Sequence, residues 1–143
     1  KNSSINDFKI GQAIRYKEGD DISLFTTGGI LEEAMEAAKE LNKLDINTRV
    51  ISFHTIKPID KNEINAAIEE TGGIITVEEH NVIGGLGGAI AEACLENSNR
   101  PKIFKRIGLN DTFSSIVGSQ KHLREKYYMD SKAIVETVQN LLD

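Results

Sequence analysis

The chain has 143 residues, of which 39% are hydrophobic and 27% are charged, and its formal net charge at pH 7 is −5. These values are typical of one soluble domain with a single core, and no apolar run approaches the roughly 20 residues needed to span a bilayer. The acidic balance argues against nucleic acid or an anionic membrane as a partner, since both require a basic face. The one cysteine, Cys94, excludes an internal disulfide and favours a reducing, cytoplasmic setting.

The chain opens on Lys1 rather than Met, and residues 1–9 are polar and linker-like. We therefore expect residues 1–143 to form a single domain that was cut from a longer protein. Residues 1–9 would be the linker from an upstream domain that this sequence lacks.

Five short runs of alternating or β-branched residues, bounded by glycine, proline or acidic turn residues, predict strands. The predicted strands cover residues 10–16, 22–26, 48–53, 74–77 and 102–107. The fourth strand runs into the polar residues Glu78, Glu79 and His80 and then into a glycine-rich turn.

Apolar residues that recur about every 3.6 positions predict helices between these strands. The apolar stripes are 31, 34, 35, 38 and 41; 64, 67 and 68; 86, 89, 90 and 93; and 134, 135, 138, 141 and 142. Asp60 followed by Glu63 predicts a capping-box-like start for the second helix. Residues 108–118 read as irregular, and two separate helical segments close the chain, around 119–127 and from Ser131. The alternation predicts an α/β domain with helices on both faces of a mostly parallel sheet.

The turn over Gly84–Gly88 is the best candidate for a functional site. A strand followed by a glycine turn and a helix brings released side chains and unpaired N–H groups to the carboxyl end of a sheet. A dinucleotide fingerprint fails, because the third glycine position is Ile90 and residues 103–106 lack the expected acidic residue. Two interpretations remain open: the glycines permit a tight turn and close packing, or the helix start binds an anion.

The neighbouring polar residues do not make a convincing active site. Side chains alternate along a strand, so Glu78 and His80 share a face and Glu79 points the other way, which opposes a shared metal ion. A polar contact at a subunit or domain interface is favoured over acid/base chemistry.

Cys94 lies on the helical face of Ile90, so a buried small hydrophobe is favoured over a nucleophile. We predict no catalytic, cofactor-binding or metal-binding residue, and the candidates for an anion or interface site are Glu79, His80, Asn81, Gly84, Gly85, Gly87 and Gly88.

An ordered set of motifs resembles the C-terminal domain of transketolase-like thiamine diphosphate enzymes over nearly the whole chain. The set is specific through its order and spacing, since each motif alone is weak. Its members are Asp7–Gly11, Glu18–Asp21, Thr27–Gly28, Thr55–Asp60, Thr76–His80, Gly84–Gly88, Arg106–Gly108, Asp111–Phe113, Leu123 and Tyr127.

The resemblance implies a three-layer α/β/α sandwich with a five-stranded mixed sheet whose first strand is antiparallel. The Glu-Glu-His-x-x-x-Gly-Gly-x-Gly run is most similar to transketolase, in particular to the second subunit of the form encoded as two subunits. Two related families also resemble the chain: 1-deoxyxylulose-5-phosphate synthase, and the beta subunit of 2-oxoacid dehydrogenases, which usually lacks a histidine at the position of His80.

In this family, thiamine diphosphate and a divalent metal such as Mg²⁺ bind between two preceding domains, so the resemblance places neither in this chain. It implies a supporting domain of a transferase that moves a two-carbon ketol unit between sugar phosphates. The implied partners are an upstream pyrimidine-binding-type domain and the other subunit, in a homodimer or heterotetramer, and a regulatory surface is compatible with this role. One alternative is the C-terminal domain of 1-deoxyxylulose-5-phosphate synthase, or of a 2-oxoacid dehydrogenase beta subunit with a partner-docking role. The other is a stand-alone module that binds an anion or small molecule at Gly84–Gly88.

Overall fold

Five strands form one mixed sheet in the computed structural model, which describes residues 10–79, 85–109 and 120–143. The sheet order is β1-β3-β2-β4-β5. Strand β1 is antiparallel to β3, and the pairs β2–β3, β2–β4 and β4–β5 are parallel. The strand bounds are Ile14–Lys17 (β1), Ile22–Thr26 (β2), Thr48–Ser52 (β3), Ile74–Glu79 (β4) and Phe104–Leu109 (β5). The predicted fold class, with an antiparallel first strand, is therefore confirmed.

Helices cover both faces of this sheet and complete three layers. Helices α1 and α4 pack together on one face, whereas α2 and α3 lie together on the other. The bounds are Leu31–Lys43 (α1), Lys61–Glu70 (α2), Leu86–Glu96 (α3) and Gln120–Leu142 (α4), and a single 3-10 turn, Gly28–Ile30, precedes α1. Within the described ranges, none of the helices has the length and apolar character needed to cross a membrane.

The alternation of side chains along the strands divides the core into two layers. On the central strand β4, Ile75 and Val77 pack under α1 and α4, whereas Ile74 packs under α2 and α3. Every residue of β2 and β3 is buried, as expected for parallel strands covered on both faces. Each fully buried aliphatic side chain contributes about 1.5–3 kcal/mol, so these two layers are the main source of stability.

Pairing with neighbours moves the bounds of both edge strands. The first strand begins at Ile14 rather than residue 10, because Gly11 adopts a positive φ of 82° in a turn. The fifth strand covers Phe104–Leu109 rather than 102–107, since it follows β4 in register along the whole length of that strand. Edge strands have one partner, so that partner sets their ends.

The two helical segments predicted at the end of the chain form one helix, α4. Ser131, which the sequence placed at the start of a second helix, lies buried inside α4. Serine inside a helix costs only about 0.5 kcal/mol relative to alanine. Ile134 and Val138 are fully buried in the layer shared with α1, and their burial outweighs that cost. Of the region predicted to be irregular, Gly108 and Leu109 belong to β5, and residues 110–118 lie outside the described residues, as do residues 1–9 of the predicted linker.

Asp60 caps α2 as predicted and also holds the first strand in place. Its Oδ1 accepts a hydrogen bond from the Glu63 N–H at 3.2 Å, and its Oδ2 accepts one from the Ala13 N–H at 2.8 Å. Glu63 does not complete a reciprocal capping box, because its carboxylate accepts from Arg15 Nη2 at 3.0 Å. Two acidic side chains at the start of α2 therefore fasten β1 to the rest of the sheet.

Replacing this cap tests the attachment of β1. We expect Asp60→Ala to lower the free energy of unfolding by about 1–3 kcal/mol, because the variant loses the helix cap and leaves the Ala13 N–H without its acceptor. Glu69→Ala, an exposed acidic position of the same helix, is the matched control and should change stability by less than about 0.5 kcal/mol. Urea unfolding followed by circular dichroism measures both, and equal losses would contradict this role of Asp60.

Candidate functional site at the glycine turn

The carboxyl ends of β2 and β4 lie side by side at the centre of the sheet. The two strands pair in parallel from Ser23 with Ile74 to Thr26 with Val77. The chain leaves β2 toward α1 on one face and leaves β4 toward α3 on the other. A sheet whose connections diverge in this way has its crevice between those two strand ends. The glycine turn after β4 and the 3-10 turn after β2 therefore share the edge where α/β proteins place functional groups.

A buried carboxylate occupies the start of helix α3. The Gly87 N–H donates a hydrogen bond of 2.8 Å to Glu78 Oε2. Glu78 is only 5% exposed, so this bond joins the end of β4 to the first turn of α3 inside the protein. A negative charge at a helix N-terminus satisfies one of the free N–H groups and interacts favourably with the helix dipole. The helix start is thus satisfied by an anion from its own chain.

Only one of the first-turn glycines is required by close packing. A Cβ atom built on Gly87 would lie 2.5 Å from both Glu78 Oε2 and Arg106 Nε, and 3.2 Å from Thr76 Oγ1. At Gly88, no atom of the described residues outside the adjacent turns of the helix lies within 4 Å of such a Cβ. Close packing among the described residues therefore accounts for a glycine at position 87, and it gives no reason for one at position 88.

The surroundings of the Glu78 carboxylate are polar but incompletely paired. Among the residues that the structure describes, Glu78 Oε1 and Thr76 Oγ1 are buried without a hydrogen-bond partner. Arg106 is opposite Thr76 in the register of β4 and β5, and it is exposed. Within the described part of the chain, no ion pair of 4.0 Å or less joins Arg106 to a carboxylate. A buried carboxyl group with one unpaired oxygen thus lies close to an exposed guanidinium.

The predicted site residues are only partly within the described ranges. Glu79 ends β4, Gly85 precedes α3, and Gly87 and Gly88 lie in the first turn of that helix. His80, Asn81 and Gly84 lie outside the described residues. The anion or interface role of these seven positions thus stays a prediction.

Glu78 is not among the site residues that the sequence predicts, although it accepts the hydrogen bond that joins β4 to α3. Its signal was the period-two pattern of β4, which puts Thr76 and Glu78 on the face of Ile74, beneath α3. A carboxylate on that face, nine positions before a glycine-rich helix start, had the helix N–H groups as its natural partners.

Two other candidate chemistries can be compared with the structure. Cys94 is 6% exposed and packs in the layer of α2 and α3, as predicted for a buried small hydrophobe. Burial raises the pKa of its thiol above the ordinary value of 9.0. Across residues 10–79, 85–109 and 120–143, no group of three or more His, Cys, Asp or Glu side chains is arranged to hold a metal ion.

A known protein family matches most of the chain. The chain matches the family model described as "Transketolase, C-terminal domain" over residues 11–134. The chain belongs to this family. The resemblance carried by the ordered motifs is thereby confirmed for the domain.

The relatives of this transketolase C-terminal domain are proteins that are longer than the chain. It is 36% identical over 141 residues to a 6-deoxy-6-sulfo-D-fructose transketolase subunit of Clostridium sp. (strain MSTE9), covering 99% of this chain and 43% of that protein. It is 40% identical over 141 residues to 1-deoxy-D-xylulose-5-phosphate synthase of Halothermothrix orenii, covering 96% of this chain and 22% of that protein. A solved structure titled "Split gene transketolase, inactive beta4 tetramer" matches with a TM-score of 0.75 and 36% identity, over 93% of this chain and 43% of that one. The chain thus spans less than half of each of these relatives.

The described part of the turn does not fit a diphosphate group. Such a group needs free N–H donors and a bound cation. The Gly87 N–H is already bonded to Glu78, and the carboxylate places a negative charge where a phosphate oxygen would lie. This transketolase C-terminal domain therefore offers no cradle for thiamine diphosphate at the described residues of the turn.

The two glycines of the first turn provide a matched pair of substitutions. We expect Gly87→Ala to destabilise the domain by about 1–3 kcal/mol, because its methyl group collides with Glu78 and Arg106. Gly88→Ala meets open space in a helix, so it should leave stability unchanged or raise it by up to about 1 kcal/mol. Denaturant unfolding of both variants measures the difference, and similar effects at the two positions would contradict the packing of Gly87.

The buried thiol predicts a specific alkaline response. Its pKa is higher in the folded than in the unfolded chain, so the unfolded chain loses its proton first as the pH rises. The stability contribution is complete below the unfolded pKa, and we expect it to decline as the pH rises above 9.0 toward the folded value. Urea midpoints across this pH range should fall more in the wild type than in Cys94→Ala. An identical decline in both proteins would show that the thiol is not responsible.

Proposed function

We propose that the chain is the non-catalytic C-terminal supporting domain of a transketolase-type transferase. The parent enzyme would move a two-carbon ketol unit between sugar phosphates with the help of thiamine diphosphate. The observation that carries this proposal is the family match over residues 11–134 combined with coverage of only 43% of a related transketolase subunit. More than half of such a subunit would then lie outside this chain and could supply the catalytic groups.

The supporting role is packing against neighbouring domains at the carboxyl edge of the sheet. The interface would include Glu79, His80, Asn81 and Gly84, together with Gly85, Gly87 and Gly88. Two features support an interface at this edge: polar residues follow β4 directly, and the bond between Gly87 and Glu78 fixes the far side of the turn.

Thiamine diphosphate and a divalent metal, Mg²⁺, would be held by domains outside this chain. When bound, thiamine diphosphate supplies the electron sink for the ketol transfer, and the protein positions it. The partners would be an upstream pyrimidine-binding-type domain and the other subunit, in a homodimer or heterotetramer. The relatives support this proposal, since they include a named transketolase subunit and a structure titled as a tetramer.

Calorimetric titration with thiamine diphosphate and Mg²⁺ tests whether the cofactor binds outside this chain. We expect no saturable heat with the 143-residue chain and saturable binding with the complete parent enzyme, which serves as the positive control. The physical reason is that the chain's own carboxylate holds a first-turn N–H group of α3 that a phosphate would need. Saturable binding by the chain alone would contradict the proposal and would favour a stand-alone binding module.

A second candidate parent is 1-deoxy-D-xylulose-5-phosphate synthase. The 40% identity to the Halothermothrix orenii protein, over 96% of this chain, favours it specifically. The complete parent enzyme separates the two candidates, because one would transfer a ketol unit between sugar phosphates and the other would form 1-deoxy-D-xylulose 5-phosphate. Chromatographic identification of the product decides between them.

A further inference from the structure

The glycine turn resembles an anion-binding site, but the Glu78 carboxylate of the same chain already occupies the position that an anion would take. We propose that Glu78 is a specificity-determining residue of this turn: its carboxylate occupies the anion position of helix α3 and so excludes free phosphate and carboxylate ligands from this edge of the sheet. The inference deepens the role proposed above, since it rests on the turn being a packing surface rather than a ligand site.

The first support is the occupied donor. A helix start attracts anions through its free N–H groups and its dipole, and here the Gly87 N–H is bonded to Glu78 Oε2 at 2.8 Å. A second anion near this point would meet a fixed negative charge. Like charges a few ångströms apart repel each other, and they do so more strongly near a protein surface than in bulk water.

The second support is that the carboxylate is buried and held by the helix start. Glu78 is 5% exposed and follows the buried residues Ile74–Val77 on strand β4, beneath α3. Its Oε1 is also buried, and it has no hydrogen-bond partner among the described residues. The absent side chain of Gly87 is what allows this close approach. Burial and the bond to Gly87 therefore keep the carboxylate at the start of α3.

The third support is the cation next to the carboxylate. Arg106 Nε and Glu78 Oε2 each lie 2.5 Å from the same point above Gly87, so the two atoms are separated by at most twice that distance. The guanidinium is exposed and forms no ion pair with a described carboxylate. Without Glu78, the Gly87 N–H and Arg106 would face a vacated space that suits a small anion. Removing one carboxylate should thus convert an occupied position into a binding site.

Chemical rescue tests this proposal directly. We expect Glu78→Ala to have a lower Tm than the wild type, and we expect sodium formate to raise that Tm saturably, relative to sodium chloride at equal ionic strength. The apparent affinity of Glu78→Ala for formate should exceed that of the wild type by about tenfold or more, which corresponds to roughly 1.4 kcal/mol. If Glu78→Ala is unfolded in chloride, the same titration is read as recovery of the helical circular dichroism signal.

Two further variants sharpen the test. Glu92→Ala removes an exposed carboxylate from the same helix and should show no response specific to formate. Glu78→Ala combined with Arg106→Gln should lose most of the rescue, because the vacated space no longer has a neighbouring cation. Rescue that does not depend on Arg106 would overturn the assignment of the cation.

Phosphate titration of the wild type completes the test without any variant. We expect no saturable binding of inorganic phosphate by calorimetry. Saturable phosphate binding that protects the Gly87 amide, or the absence of formate rescue in Glu78→Ala, would overturn the role of Glu78. Neither result depends on the reaction of the parent enzyme, so a failure here is distinguishable from a failure of the proposed function.

Discussion

The parallel pairing of β2 with β4 is the constraint on which the rest of the structure depends. Both strands are buried on both faces, and the helices that follow them leave in opposite directions. This arrangement forces the turns after the two strands to share one edge. It also places α3 directly over the polar end of β4, where Glu78 lies beneath the helix start. The location of the candidate site follows from sheet order before any specific chemistry is considered.

The Glu78 carboxylate decides between the two interpretations of the described part of the glycine turn. A glycine-rich helix start in an α/β fold suggests a place for a phosphate, and the sequence left this interpretation open. In the folded chain, the Gly87 N–H is bonded to a carboxylate that the preceding strand delivers. The same residues that would cradle an anion thus serve to lock β4 to α3. A glycine pattern indicates a close approach to the backbone, but the approaching group can belong to the protein itself.

The supporting role proposed for the chain is consistent with its family and with the geometry of the glycine turn. The chain is a transketolase C-terminal domain, and it spans less than half of the relatives it matches. The described part of the glycine turn combines a buried carboxylate with an occupied helix N–H group, which suits the fastening of secondary-structure elements better than the binding of a charged ligand. On the proposed division of labour, the domain contributes a rigid edge and the upstream domains contribute the chemistry.

The sequence by itself determined the elements whose signals are local. The periodic stripe of α1, the β-branched run of β3 and the cap at Asp60 all depend on residues within a few positions of one another. The tertiary structure alone decided the ends of β1 and β5, the continuity of α4 through Ser131, and the partner of Glu78. The physical reason is that register and burial depend on residues distant in the chain, and these interactions exceed the roughly 0.5 kcal/mol preferences that local patterns report.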